Sequence, residues 1–302
     1  MLKQKKRIVF LLAAMLLVCG CGKKQEAKTE GETKETMGTV ETVKTDSFSM
    51  KYLKFGNGDR PLVILPGLSV QSVMGSAEAI ETAYAKMTDE FTIYLFDRRE
   101  ELPETYSIKE MAKDTIAAIH ALGLSDICLY GTSQGGMISM EIAGLEPELV
   151  QKLILASTSC NIRAEQNAGI QNWIQLAEDK NAEGLYLSFG ELVYPKEVFD
   201  SYRETFINMA KSVTEEELER FTVLAGTIID FNCVDDLKQV KCPVLVLGSN
   251  DDQVLGKDAC PEIAEVLQGS TDCELYMYDG YGHAVYDLAP DFLDRIKTFC
   301  LN

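Results

Sequence analysis

Eleven residues, Ile127-Cys-Leu-Tyr130-Gly131-Thr132-Ser133-Gln134-Gly135-Gly136-Met137, constrain this chain more than any other stretch. An apolar strand runs into Gly-x-Ser-x-Gly and then into a helix-like pattern. A serine at the tip of a sharp strand-to-helix turn sits in strained backbone, and small neighbours let such a turn close without clashes. Its hydroxyl then stands exposed at the top of a sheet, which makes Ser133 a candidate nucleophile. Three fixed positions alone recur by chance in roughly one chain in ten of this length. The reading therefore rests on context, which must supply a base, an acid and an oxyanion site at suitable places.

The flanking sequence supplies strands and helices in alternation. Thr39 to Lys44 and Phe48 to Phe55 alternate apolar and polar side chains around Thr45-Asp46-Ser47, which predicts an antiparallel pair at a sheet edge. Leu62 to Leu65 and Leu153 to Ala156 are wholly apolar, and Thr92 to Phe96 and Cys242 to Gly248 nearly so, as strands buried on both faces are. Helical spacing is expected over Ala77 to Met87, over Ile108 to Leu122 behind the capping box Ser107-x-x-Glu110, and over Gln134 to Leu145. A helix from near Asp258, a strand over Glu274 to Tyr278 and a helix from Pro290 to Phe299 complete the chain. This order predicts an α/β fold: a mostly parallel sheet with helices on both faces, whose ligands bind beyond the carboxyl ends of the strands.

Between Cys160 and Asp236 the strand runs stop. Helices are expected around Ala168 to Asp179, around Lys196 to Met209, and after Thr214, whose Thr-Glu-Glu-Glu217 is a second capping box. Residues 160–236 therefore read as a helical cap inserted between a first sheet segment, 39–159, and a second, 237–302. Acids in a first helical turn suit the helix dipole, so Glu215 to Glu217 need no cation to explain them. Trp173, the single tryptophan, either lines a pocket or anchors the cap.

The N-terminus reads differently. Lys3, Lys5, Lys6 and Arg7 precede eleven unbroken apolar residues, Ile8 to Val18, too few for a mature membrane span and suited to a signal peptide over residues 1–20. The run ends in Val18-Cys19-Gly20-Cys21, which resembles a bacterial lipobox with Cys21 as the lipidated residue. Residues 21–38 are polar and contain no apolar cluster able to bury itself, so they are expected to act as a tether. Two acyl chains on Cys21 would make a stable anchor at the extracytoplasmic face of a cell membrane. The net charge is −18, or −22 without the four basic residues of the leader, which argues against nucleic acids as partners. Seven cysteines remain beyond Cys21, an odd number without Cys-x-x-Cys spacing. Buried free thiols are expected, and neither a disulfide framework nor a zinc site.

Over Thr39 to Cys300 these features together resemble the α/β-hydrolase superfamily. The resemblance rests on the Gly131-x-Ser133-x-Gly135 elbow, Leu62 to Leu68, Phe96-Asp97-Arg98-Arg99, the strand leading to Asp251-Asp252, and Gly282-His283-Ala284, in the chain order Ser, Asp, His. It implies a serine nucleophile, with His283 as base and Asp252 or the adjacent Asp251 as the acid that fixes the imidazole tautomer. Val254 and Leu255 fall where the family places apolar residues after its acid, which favours Asp252. The second histidine, His120, lies within the Ile108 helix and is expected to serve packing or the surface. The resemblance also places oxyanion donors at the backbone N–H groups of Leu68 and Gln134. Pro66 stands where many members have histidine, and Glu100 where glycine is usual.

The expected activity is hydrolysis of carboxylic esters, with small esters or acyl lipids such as lysophospholipids as substrates and no metal or organic cofactor. An aminopeptidase or amidase is the alternative enzyme. A ligand-binding surface lipoprotein without catalysis is the alternative from another class.

Overall fold

The computed structural model describes residues 38–302; the leader, Cys21 and nearly all of the tether lie outside them. Eight strands form one sheet: β1 (Thr39–Lys44), β2 (Ser49–Phe55), β3 (Arg60–Leu65), β4 (Phe91–Arg99), β5 (Ile127–Thr132), β6 (Val150–Ala156), β7 (Val244–Ser249) and β8 (Cys273–Tyr278). Their spatial order is β1-β2-β4-β3-β5-β6-β7-β8. β2 runs antiparallel to β1 and β4, and β3 to β8 run parallel.

The apolar strands are buried on both faces because consecutive side chains point to opposite sides of the sheet. Val63 and Leu65 of β3, Ile127 and Leu129 of β5, and Val244 and Val246 of β7 belong to one core. The alternate residues Leu62, Ile64, Cys128, Tyr130, Leu245 and Leu247 belong to the other. The first core is covered by α2 (Ile108–Ala121), α3 (Gln134–Leu145) and α9 (Ala259–Leu267). The second is covered by α1 (Ala77–Tyr84) and α11 (Phe292–Leu301).

Between β6 and β7 the chain forms α4 (Ala164–Glu178), α5 (Ala182–Val193), α6 (Lys196–Ala210), α7 (Glu215–Gly226) and the single turn α8 (Val234–Leu237). The two ends of this insert clasp each other at its base: Ile162 N–H donates to Phe231 O at 2.8 Å and Cys233 N–H to Cys160 O at 2.9 Å, around an antiparallel bridge of Asn161 with Asn232. Arg220 of α7 ties the insert to the end of β4 through the carbonyls of Arg98, Arg99 and Glu100. The Thr214–Glu217 capping box is complete, with Thr214 N–H on Glu217 Oε2 at 2.9 Å and Glu217 N–H on Thr214 Oγ1 at 3.2 Å.

Helix α5 is one element that sequence periodicity does not reveal. It reads Ala-Glu-Gly-Leu-Tyr-Leu-Ser-Phe-Gly-Glu-Leu-Val, apolar around most of its circumference and carrying two glycines, so no 3.6-residue stripe stands out. Packing selects the helix instead: Gly190 lies against the rings of Phe206 and Phe199, where a side chain would crowd them. The visible local signal is Asn181, whose side chain caps Gly184 N–H. The seven cysteines of the described residues are free thiols, six buried and Cys273 half-buried. Among the described residues, no helix is long and apolar enough to cross a membrane.

Candidate active site

Ser133 ends β5 and opens α3 with φ 51° and ψ −120°, left-handed backbone that a non-glycine residue adopts only when its surroundings enforce it. The neighbouring glycines allow the turn. A Cβ on Gly131 would collide with Ser139 Oγ and Gly135 O, and one on Gly135 with the Leu65 carbonyl. The strained residue is fully bonded along its backbone: Ser133 N–H donates to Ala156 O at 2.9 Å, and Thr158 Oγ1 donates to Ser133 O at 2.7 Å. Gly67 passes so close that an added Cβ would sit 3.3 Å from the Ser133 Cβ.

His283 follows β8 in a loop that turns at Gly280 and Gly282, both at positive φ. It is 2% exposed, and its Nδ1 lies 2.8 Å from Asp252 Oδ2. The other Asp252 oxygen accepts the backbone N–H groups of Val254 at 2.8 Å and Leu255 at 3.0 Å. Burial alone would raise this carboxyl's pKa. The charge of His283, the hydrogen bond to it and the Leu255 and Val254 amides outweigh burial and hold Asp252 below the usual carboxylate range.

Asp251 points elsewhere. It accepts Ser249 Oγ–H at 2.6 Å and the amides of Gly280 at 3.0 Å and Gly282 at 3.2 Å, bracing the loop that carries His283. His120 is exposed and pairs with Glu146 at 2.7 Å, away from these residues.

Ser133, His283, Gly67 and Leu68 line one narrow cavity of about 20 Å³, room for about one water molecule. The insert supplies its roof: Ile170, Trp173, Phe189 and Val193 descend from α4 and α5. Trp173 therefore both lines the cavity and anchors the insert, with its ring 4.7 Å from that of Phe189. Among the described residues, no Asp, Glu, Lys or Arg contributes to the cavity wall, and no cluster of three or more His, Cys, Asp or Glu could hold a metal ion.

Gln134 is fully buried. Its side chain accepts from Arg98 Nη2 at 3.1 Å and donates to Leu224 O at 2.7 Å and Thr227 Oγ1 at 3.1 Å in the insert. Behind His283, Asp287 of α10 (Val285–Leu288) accepts the Tyr194 hydroxyl at 2.8 Å. Burial pushes Asp287 up to about 6, against the opposing pull of Tyr194 and His283. Arg98 belongs to the Phe96-Asp97-Arg98-Arg99 stretch, but nothing in the sequence marks its partners, and no motif marks Asp287.

The site thus places a hydroxyl, an imidazole and a paired carboxylate at the carboxyl ends of β5, β8 and β7, where open α/β sheets bind ligands. A relative from Agrobacterium fabrum, named "Putative carbamate hydrolase RutD", is 26% identical over 78% of this chain and 93% of its own length. The 3-oxoadipate enol-lactonase 2 of Acinetobacter baylyi is 20% identical over 81% of this chain and 94% of its own. Among solved structures, the α/β-hydrolase MGS-M2 from a Medee basin deep-sea metagenome superposes with a TM-score of 0.74 at 18% identity, covering 87% of this chain and 98% of that one. The enol-lactonase of Burkholderia xenovorans also reaches 0.74, at 14% identity. The family model described as serine aminopeptidase S33 matches residues 104–287, more than half of the chain and a span that runs from before Ser133 to beyond His283. The chain belongs to that family, and it is an α/β-hydrolase.

Proposed function

We propose that the protein hydrolyses carboxylic esters with compact, uncharged acyl groups through an acyl-enzyme at Ser133. The observation that carries this reading is the 2.8 Å contact of His283 Nδ1 with Asp252, in a cavity whose wall includes both His283 and Ser133. With Nδ1–H held by the carboxylate, Nε2 is left as the basic nitrogen. It takes the Ser133 proton as Oγ attacks the ester carbonyl, then returns that proton to the departing alcohol. The backbone N–H groups of Leu68 and Gln134 receive the negative charge on the tetrahedral carbonyl oxygen. Water, deprotonated by the same nitrogen, releases the acid and restores Ser133.

The family description raises a second reading, cleavage of aminoacyl substrates. A substrate ammonium carried into this cavity would need a carboxylate to replace its water, and the wall offers only apolar and aromatic side chains around Ser133 and His283. That favours acyl esters. A cavity that holds little more than a water molecule must widen for any ester, and an acyl lipid requires the roof to move furthest. The lipobox at Cys21 would hold such an enzyme beside its lipid substrates, and palmitate incorporation lost in Cys21→Ala would establish the anchor.

The direct test compares p-nitrophenyl esters from acetate to palmitate with aminoacyl p-nitroanilides. Turnover of short esters, lost in both Ser133→Ala and His283→Ala, is expected. Preference for the anilides would replace the ester reading with the aminopeptidase one, and no turnover of either series would point to ligand binding.

A further inference from the structure

Arg98 sits at the end of β4 and is 6% exposed; its backbone N–H donates to Asp97 Oδ1 at 2.7 Å, but among the described residues its guanidinium forms no ion pair within 4 Å. Its Nη2 donates to two neutral oxygens, Pro66 O at 2.7 Å and Gln134 Oε1 at 3.1 Å. Burial pulls the guanidinium down to about 10, with Asp97 opposing, so it remains charged at neutral pH. A charge kept in such a place at the cost of desolvation calls for a reason beyond packing.

The two oxygens belong to the two halves of the oxyanion site. Pro66 O is in the turn that carries Gly67 and Leu68 past Ser133, and Gln134 is the residue after Ser133. We propose that Arg98 is the positioning residue of the oxyanion site, with one buried cation setting both donor segments and, through Gln134, tying them to the insert. The inference rests on the ester-hydrolase reading of Ser133.

The geometry leaves little slack. With Nη2 on the Pro66 carbonyl, the turn that carries Gly67 past Ser133 cannot shift away from β4 as a body without breaking a charge-assisted hydrogen bond. Gln134 Nε2 meanwhile holds Leu224 O and Thr227 Oγ1, so a shift of α7 is felt at the elbow. Arg220 of the same helix holds the Arg98 carbonyl at 3.3 Å, which closes a ring from β4 to the elbow, to the insert and back to β4. Lysine would keep the charge but could not present the same fixed planar fork.

The test uses the intact chain and its Arg98→Met, Arg98→Lys and Gln134→Met variants, with p-nitrophenyl butyrate as substrate and rates normalised to active sites titrated by a fluorophosphonate. Inhibition by a butylboronic acid, which forms a tetrahedral adduct on a serine, reports the oxyanion geometry. Arg98→Met is expected to lower kcat about 10- to 100-fold with KM little changed, and to weaken boronate inhibition by a similar factor. Arg98→Lys should fall between it and the parent, and Gln134→Met should lose about tenfold in kcat.

A purely structural arginine would lower the melting temperature and the fraction of titratable sites while kcat per site and boronate affinity stayed within twofold of the parent. That result overturns the inference while leaving the ester-hydrolase reading intact. Should Arg98→Met fail to fold, unchanged kcat and boronate affinity in both Arg98→Lys and Gln134→Met would overturn it equally. A parent that neither turns over the ester nor binds the boronate overturns the proposed function, and this inference with it.

Discussion

Tyr194, where the second helix of the insert ends, donates its hydroxyl hydrogen to Asp287 at 2.8 Å, four residues beyond His283. The adjacent Val193 carbonyl accepts the Ala284 N–H at 3.2 Å. The insert is therefore fastened to the histidine loop from above, while Asp251 braces the same loop from the β7 side through Gly280 and Gly282. Roof and base are parts of one packed unit, so substitutions in either carry distinguishable consequences.

Burial raises Asp287 from an ordinary 3.8 to about 6. Between these values the folded chain holds a proton that the unfolded chain has released, so stability falls as pH rises through that window. Asp287→Asn keeps an acceptor for Tyr194 and removes the titration. Urea unfolding should find it close to the parent near pH 4 and more stable by about 1–3 kcal/mol above pH 6.5. A variant less stable than the parent at every pH would refute this account of the buried carboxyl.

Asp251 and Asp252 are neighbours with separate work. Asp252→Asn should lower kcat by several orders of magnitude, since an amide favours the wrong imidazole tautomer, and should also lower the melting temperature by weakening the bonds from Val254 and Leu255. Asp251→Asn loses strength in its bonds to two backbone amides and should chiefly lower the melting temperature, with kcat reduced less than tenfold. Steady-state kinetics beside thermal melts separates the two, and the reverse pattern would exchange their roles.

Gly135 has no room for a side chain, because a Cβ there would meet the Leu65 and Pro66 carbonyl oxygens. Gly135→Ala must push the elbow away from β3 and is expected to cost more than about 3 kcal/mol or to prevent folding. Gly226, which has nothing within contact distance of an added Cβ, supplies the control. Gly226→Ala should fold with stability at least equal to the parent, as read by chemical denaturation.

Trp173 and Phe189 pack in the roof with their rings tilted by 36° and line the cavity with Ser133 and His283. Trp173→Ala should move the preferred ester toward longer acyl chains, at a stability cost of about 3–5 kcal/mol. An unchanged chain-length profile in a folded Trp173→Ala protein would show that the acyl group lies elsewhere.

Much of this arrangement is legible in the sequence because each chemical group lies in the loop after a recognisable strand. Ser133 follows β5 directly, while Asp252 and His283 lie in the loops after β7 and β8, and the apolar runs of β5 and β7 are easily recognised as doubly buried strands. Spacing favours Asp252 over its neighbour Asp251 but does not by itself separate them. Only the fold shows Asp252 Oδ1 taking two amides from its own loop and leaving Oδ2 for His283. The stretch Phe96-Asp97-Arg98-Arg99 is visible in the sequence but the contacts of Arg98 are not, since its partners Pro66 and Gln134 lie 32 and 36 positions away and are joined to it by sheet order. Helix α5 is hidden because Gly184 and Gly190 weaken its helical signal.

The central claim is that Ser133 becomes acylated with the help of His283 and Asp252. Stoichiometric labelling by a fluorophosphonate, followed by mass mapping of the modified peptide, tests it most directly. One adduct per chain on Ser133 is expected, absent in Ser133→Ala and formed far more slowly in His283→Ala and Asp252→Asn. Labelling that persists in Ser133→Ala, or proceeds at the parent rate without His283, would contradict it.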